Sequence, residues 1–214
     1  GDRSDIDLAV AAARRAFEDG PWSGFAARER ADCLWRLADR IEADLDTLAA
    51  IETFDMGAPI GVTRHMIRSG LETLRYFAGM ATKLHGQTID PFGRNADFHT
   101  YTRAEPVGVV GLIIPWNGPL AIFLNKIAPV LAAGCTCVVK PAELSSLSAL
   151  AVAGHIAEAG VPDGVVNIVT GLGARAGRAL SEHGDVDHIS FTGSKGTARQ
   201  LIQAAAGNFK RLTL

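Results

Sequence analysis

The stretch at residues 107–119 constrains this chain more than any other. Residues 107–114 are apolar and rich in β-branched side chains, interrupted only by Gly108 and Gly111. Such a run reads as a strand buried on both faces, the pattern of a central strand in a parallel sheet. It stops at Pro115-Trp116-Asn117-Gly118-Pro119. Pro115 has no N–H and ends the ladder, while Pro119 suits the first turn of a following helix. The amide of Asn117 is left at the carboxyl end of a central strand, where open α/β sheets bind ligands.

From residue 107 onward, strands and helices alternate. Predicted strands at 107–114, 136–140, 165–169, 186–191 and 210–214 are separated by predicted helices at 119–133, 145–159, 174–181 and 197–206. Strands separated by helices need crossover connections, hence a Rossmann-like α/β fold: a parallel sheet with helices on both faces. Upstream, apolar spacing predicts helices at about 4–19, 26–43, 44–54 and 62–81. Ser4-Asp5 is the expected cap of the first, and 22–25 a loop. Residues 85–94 read as turns, with Gly86, Pro91 and Gly93-Arg94-Asn95. Residues 97–105 alternate and read as an extended edge or bridging strand. The chain thus divides into an N-terminal helical layer (1–84), a bridging strand segment (85–106) and a nucleotide-binding sheet (107–214).

Composition removes several classes of function. With 214 residues, 48% of them hydrophobic, the chain can bury a proper core. A net charge of −2 gives no electrostatic case for nucleic acid or a membrane surface. The longest nearly uncharged run, 127–139, is too short to span a bilayer, and the polar opening does not resemble a signal peptide. Three cysteines, an odd count, point to a reducing, cytoplasmic setting without a disulfide framework. Cys135-x-Cys137 has no neighbouring His/Cys set to complete a metal site, so no metal is expected.

Each predicted strand ends in chemistry. The first ends at Asn117, the second at Lys140-Pro141-Ala142-Glu143, the third at Gly171-Leu172-Gly173 with Gly177 following, and the fourth at Phe191-Thr192-Gly193-Ser194. Glycines that open a helix let a phosphate approach backbone N–H groups at its positive end. A carboxylate past the second strand can accept from the hydroxyls of an adenosine ribose, and Lys140 can reach the same group. Every piece has a plainer reading: the glycines as connections, Glu143 as a solvated helix-start carboxylate, Asn117 as a turn former beside Gly118. Their joint placement at strand ends favours a dinucleotide site.

These motifs carry a resemblance. P-W-N-x-P, K-P-A-E, G-x-G-x-x-x-G and F-T-G-S, in this order and spacing, resemble the aldehyde dehydrogenase superfamily, as does Glu52-Thr53-x-Asp55-x-Gly57-x-Pro59. The similarity covers essentially the whole chain. It implies oxidation of an aldehyde to an acid with NAD or NADP, through a cysteine thiohemiacetal and then a thioester. By that resemblance Asn117 matches the oxyanion amide and Lys126 an active-site lysine assigned to a proton relay, with a structural ion pair as the plainer reading. Lys140 and Glu143 match the ribose-holding pair, and Glu143 implies NAD over NADP. Ile114, Pro115 and Trp116 match the strand end lining the cofactor, Gly173 and Gly177 the adenine-side turn, and Phe191, Gly193 and Ser194 the pyrophosphate segment. The bridging segment resembles the part that pairs between subunits, implying a homodimer or homotetramer. The family's nucleophilic cysteine and general-base glutamate lie downstream of the segment matching Leu214, and none of Cys33, Cys135 and Cys137 stands in for that cysteine. An aldehyde is the implied substrate; a catalytically inert nucleotide-binding or assembly module is the alternative.

Overall fold

A computed structural model describes residues 1–90 and 98–214. Helix α1 (Arg3–Glu18) opens the chain, followed by α2 (Pro21–Gly24), α3 (Ala27–Ala43), α4 (Leu45–Met56) and α5 (Ile60–Met80). A hairpin of β1 (Thr88–Ile89) and β2 (Thr100–Tyr101) comes next. The remainder is β3 (Val109–Ile113), α6 (Pro119–Ala133), β4 (Thr136–Lys140), α7 (Leu147–Ala151), α8 (Ala153–Glu158) and β5 (Val166–Ile168), then α9 (Arg178–Glu182), β6 (His188–Phe191), α10 (Lys195–Ala205) and β7 (Arg211–Thr213).

The five later strands form one parallel sheet in the order β5-β4-β3-β6-β7. This is the expected α/β architecture, wound outward in two directions from β3. Between β3 and β6 the winding reverses, and a crevice outside the strand ends follows at such a point. All five residues of β3 and of β4 are buried. Along β3, side chains alternate between two cores. Val110 and Leu112 pack with α3, α5 and α6; Val109 and Ile113 pack with α1, α9 and α10. The early helices therefore sit on both faces, α1 on one and α3–α5 on the other. Gly70 lets α5 cross α6 closely: a Cβ there would lie 3.2 Å from the Ala121 Cα.

Several local expectations need correction. The cap of α1 is Asp2, not Ser4-Asp5: Asp2 accepts from the Ser4 N–H while the Asp5 carboxylate accepts from the Asp2 N–H. The expected loop at 22–25 contains α2, because Pro21 starts a helical turn and Trp22 is pulled into the core. The helix expected at 145–159 runs as α7 and α8 with one tightened residue between them, the buried Val152 at ψ −5°, whose N–H still donates to the Ser148 carbonyl and whose carbonyl accepts from the Ile156 N–H. The segment before α9 winds as a wide π turn over Gly173–Gly177. Of the strand expected at 97–105, among the described residues only Thr100–Tyr101 forms a strand, since residues 98–105 are exposed and have no core face to register against. Asp97, Pro91 and Gly93-Arg94-Asn95 lie outside the described residues.

Candidate coenzyme site

Backbone hydrogen bonds put the strand ends at one level. The Ile114 N–H donates to the Lys140 carbonyl at 3.1 Å, the Thr192 N–H to the Ile113 carbonyl at 3.3 Å, and the Val169 N–H to the Val139 carbonyl at 2.9 Å. The loops after β3, β4, β5 and β6 therefore leave one edge of the sheet together. Ile114 is buried, Pro115 is half-buried, and Trp116 and Asn117 are exposed on that edge.

The second loop contributes a charge pair. Lys140, whose side chain is 3% exposed, places Nζ 3.2 Å from Glu143 Oε2. The Glu143 carboxyl is held below its ordinary value, chiefly by its own backbone N–H, with further help from Lys140 and the Gly173 N–H against the opposing effect of burial. Glu143 is thus an ionised acceptor at the mouth of the β5 loop. Gly177 completes the cluster: a Cβ there would lie 3.5 Å from the Lys140 Cδ, so the turn lies along the lysine stem. Lys140, Glu143, Gly173 and Gly177 come together as one group.

Beyond β6, Phe191 is buried and Gly193 folds over its ring, where a Cβ would fall 2.4 Å from Cζ. Ser194 caps α10, accepting from the Thr197 N–H at 3.2 Å. Lys126, on α6, is half-buried and donates to Ser190 Oγ on β6 at 2.7 Å. Among the described residues it has no carboxylate partner, so the ion-pair reading of Lys126 is not met. Burial pulls its pKa down to about 8.

Two features escaped sequence reasoning. Ser190 reads as a mere strand residue until α6 is folded over it. Ser145 is fully buried and donates from Oγ to the Trp116 carbonyl at 3.1 Å, tying the second loop to the first. No local pattern announces either contact; both need the parallel register of adjacent strands.

Cys33, Cys135 and Cys137 are free and buried, and burial raises all three thiols above their ordinary value. None lies on the strand-end edge. Among the described residues no group of three or more His, Cys, Asp or Glu side chains could hold a metal, and no helix is long and apolar enough to cross a membrane.

The topology and its loaded strand ends define an open, doubly wound α/β protein of the dinucleotide-binding architecture. The aldehyde dehydrogenase family model matches residues 1–214, and the chain belongs to that family. It is 48% identical over 216 residues to aldehyde dehydrogenase 1 of Tanacetum cinerariifolium, covering all of this chain and 43% of that protein. It is 51% identical over 211 residues to an aldehyde dehydrogenase of Emericella nidulans, covering 98% of this chain and 42% of the relative. The NAD+ complex of aldehyde dehydrogenase from Bacillus cereus superposes with a TM-score of 0.96 at 46% identity, over all of this chain and 43% of that one. The chain thus spans about two fifths of the length of the relatives it matches.

Proposed function

We propose that this chain is the coenzyme-binding portion of an NAD-dependent aldehyde dehydrogenase that converts an aldehyde to a carboxylic acid. The observation that carries the reading is the Lys140–Glu143 pair at the end of β4, closed over by the Gly173 turn. One Glu143 oxygen holds Lys140, and the carboxylate is exposed enough to accept from ribose hydroxyls as well. Exposed Gly173 has open space where a Cβ would project, so a ligand can approach its backbone. Ser194 and the first N–H groups of α10 lie beyond β6, where a pyrophosphate would be received. This donor and acceptor set fits a dinucleotide, whose nicotinamide accepts hydride when bound.

The roles divide along the edge. Ile114, Pro115 and Trp116 line the nicotinamide side, with Phe191 and Gly193 opposite. Asn117 offers its side-chain N–H to the oxygen that becomes negative when a thiolate adds to the aldehyde. Lys126, with a pKa near the working range, holds or passes a proton beside Ser190. Glu143 would meet the 2′-phosphate of NADP with like charge, which favours NAD. The three free cysteines fit a cytoplasmic setting, and the exposed β1–β2 hairpin is an edge that a second subunit can extend, as in a homodimer or homotetramer.

The buried cysteines favour a second reading for the 214 residues taken alone, a nucleotide-binding or assembly module without turnover. Calorimetric titration with NAD and NADP tests the first reading. NAD should bind more tightly, and Glu143→Ser should weaken NAD and narrow the gap; equal affinities in both proteins would remove the Glu143 assignment. The same protein, given NAD and an aldehyde, should produce no NADH.

A further inference from the structure

The Glu52-Thr53-x-Asp55 motif has no place in the coenzyme site, yet its carboxylates reach the two helices that leave it. Glu52 and Asp55 are three residues apart in the last turns of α4 and so neighbour each other on its surface. Glu52 is fully buried, and its Oε2 accepts from the Leu120 N–H, in the first turn of α6, at 3.0 Å. Asp55 Oδ2 accepts from the Leu147 N–H, the first residue of α7, at 2.8 Å. Neither α6 nor α7 has a side-chain cap from its own flanking residue. Helix caps ordinarily come from the adjacent residue, and a Ser or Asn there would serve. A carboxyl at zero exposure is a costly substitute, and its other oxygen, Oε1, has no well-formed partner. Such an arrangement buries a polar group in order to join segments that are distant in sequence.

The joined segments are the two halves of the candidate site. Helix α6 follows directly on Asn117, and α7 follows the Lys140–Glu143 loop. Ser145 closes the circuit by donating to the Trp116 carbonyl. The α4 turn itself is pinned by Thr63, which donates from Oγ1 to the Ala49 carbonyl and shares a hydrogen bond with Thr53 Oγ1 at 2.9 Å. We infer that Glu52 and Asp55 are positioning residues that clamp the Asn117 loop at a fixed distance from the Lys140–Glu143 loop, so that one dinucleotide meets both. The inference rests on the coenzyme reading above. A ligand that engages two subsites gains from their fixed spacing, whereas a ligand confined to one subsite does not.

The test compares NAD with adenosine monophosphate, which fills only the adenosine half, by calorimetry on the 214-residue protein. Asp55→Ala should weaken NAD about tenfold while adenosine monophosphate changes less than about twofold. Asp55→Asn keeps an oxygen acceptor for the Leu147 N–H and should restore NAD binding. Ser145→Ala removes the direct loop-to-loop tie and should lower the same affinity ratio, which covers the case of an Asp55→Ala protein that does not fold. Glu52→Gln against Glu52→Ala repeats the comparison at α6. If the wild-type protein binds NAD but the variants weaken both ligands equally, or neither, the clamp is overturned and the coenzyme reading stands. A wild-type protein that binds neither ligand overturns both.

Discussion

Lys126 Nζ donates to Ser190 Oγ at 2.7 Å and thereby joins α6 to β6 across the sheet face beneath the candidate site. A serine hydroxyl can accept from an ammonium and donate to an amine, so the pair remains hydrogen-bonded in either protonation state of the lysine. His188 lies on the same strand two residues earlier and bonds through Nε2 to Thr213 Oγ1 at 3.0 Å; its own pKa is lowered by burial and by the positive charges of Arg211 and Lys126.

The lowered Lys126 pKa predicts a specific pH dependence. In the folded protein it lies near 8, against 10.5 for the exposed side chain. Below about pH 8 both folded and unfolded chains carry the charge, and the folded state bears its burial cost. Between about 8 and 10.5 the unfolded lysine binds more protons than the folded one, so the contribution of Lys126 to stability rises with pH across that window. Lys126→Met should remove this contribution, read as the difference between the two proteins' stability–pH curves. Carbon-detected NMR titration of the lysine side chains should show one group with a midpoint near 8; all lysines titrating near 10.5 would refute the assignment.

Gly193 is predicted to tolerate no side chain. A Cβ would fall 2.4 Å from Phe191 Cζ, and the ring is packed in the core that also holds Ile189 and Leu201. Gly193→Ala must displace the ring or the loop, and overpacking of this kind costs about 1–3 kcal/mol. Urea denaturation should show that loss, together with weaker NAD binding. Phe191→Leu should recover part of the stability in the Gly193→Ala background, because the two positions are coupled through one contact. Additive losses would show that the clash is not the cause.

The parts of this molecule legible in its sequence are those governed by local rules. The buried run of β3, the prolines bracketing Asn117 and the glycines after β5 and β6 depend on near neighbours, and the sheet follows from the alternation of strands and helices. The motif residues could be assigned to one sheet edge because parallel strands must all end on the same side. What stayed hidden depends on distant contacts. Trp22 belongs to a helical turn because the core takes up its indole. Ser190 and Ser145 gain partners 64 and 29 residues away, and nothing in their own neighbourhoods marks them. Asp2 outcompetes Ser4 as a cap through a reciprocal bond with Asp5, a choice between adjacent candidates that spacing alone leaves open.

Trp22 also yields a stability prediction. It is 1% exposed, and its Nε1 donates to the Cys135 carbonyl at 3.1 Å, fastening α2 to the start of β4. Trp22→Phe keeps an aromatic ring but strands a buried carbonyl, with an expected loss of about 1–3 kcal/mol. Trp116, 55% exposed, is the internal control: Trp116→Phe should change stability by less than about 0.5 kcal/mol. Chemical denaturation followed by circular dichroism measures both, and a comparable loss in the two variants would contradict the anchoring role of Trp22.

Asn117 separates a structural from a chemical role most sharply. As a turn former its value would lie in the backbone, and Asn117→Ala would destabilise the fold. Its side chain is exposed at the edge, with Gly118 extended behind it and Pro119 starting α6. Those neighbours set the turn, so Asn117→Ala should melt within about 0.5 kcal/mol of the parent. NAD affinity should be unchanged as well, since the proposed target of the amide is an oxygen of the aldehyde. In an enzyme that joins this chain to a nucleophilic cysteine, the same substitution should lower kcat about 100-fold or more with little change in KM, the loss expected for one oxyanion donor worth about 3 kcal/mol. Pre-steady-state measurement of NADH formation places the effect on the chemical step. A variant that loses stability but keeps its kcat would return Asn117 to the role of a turn residue.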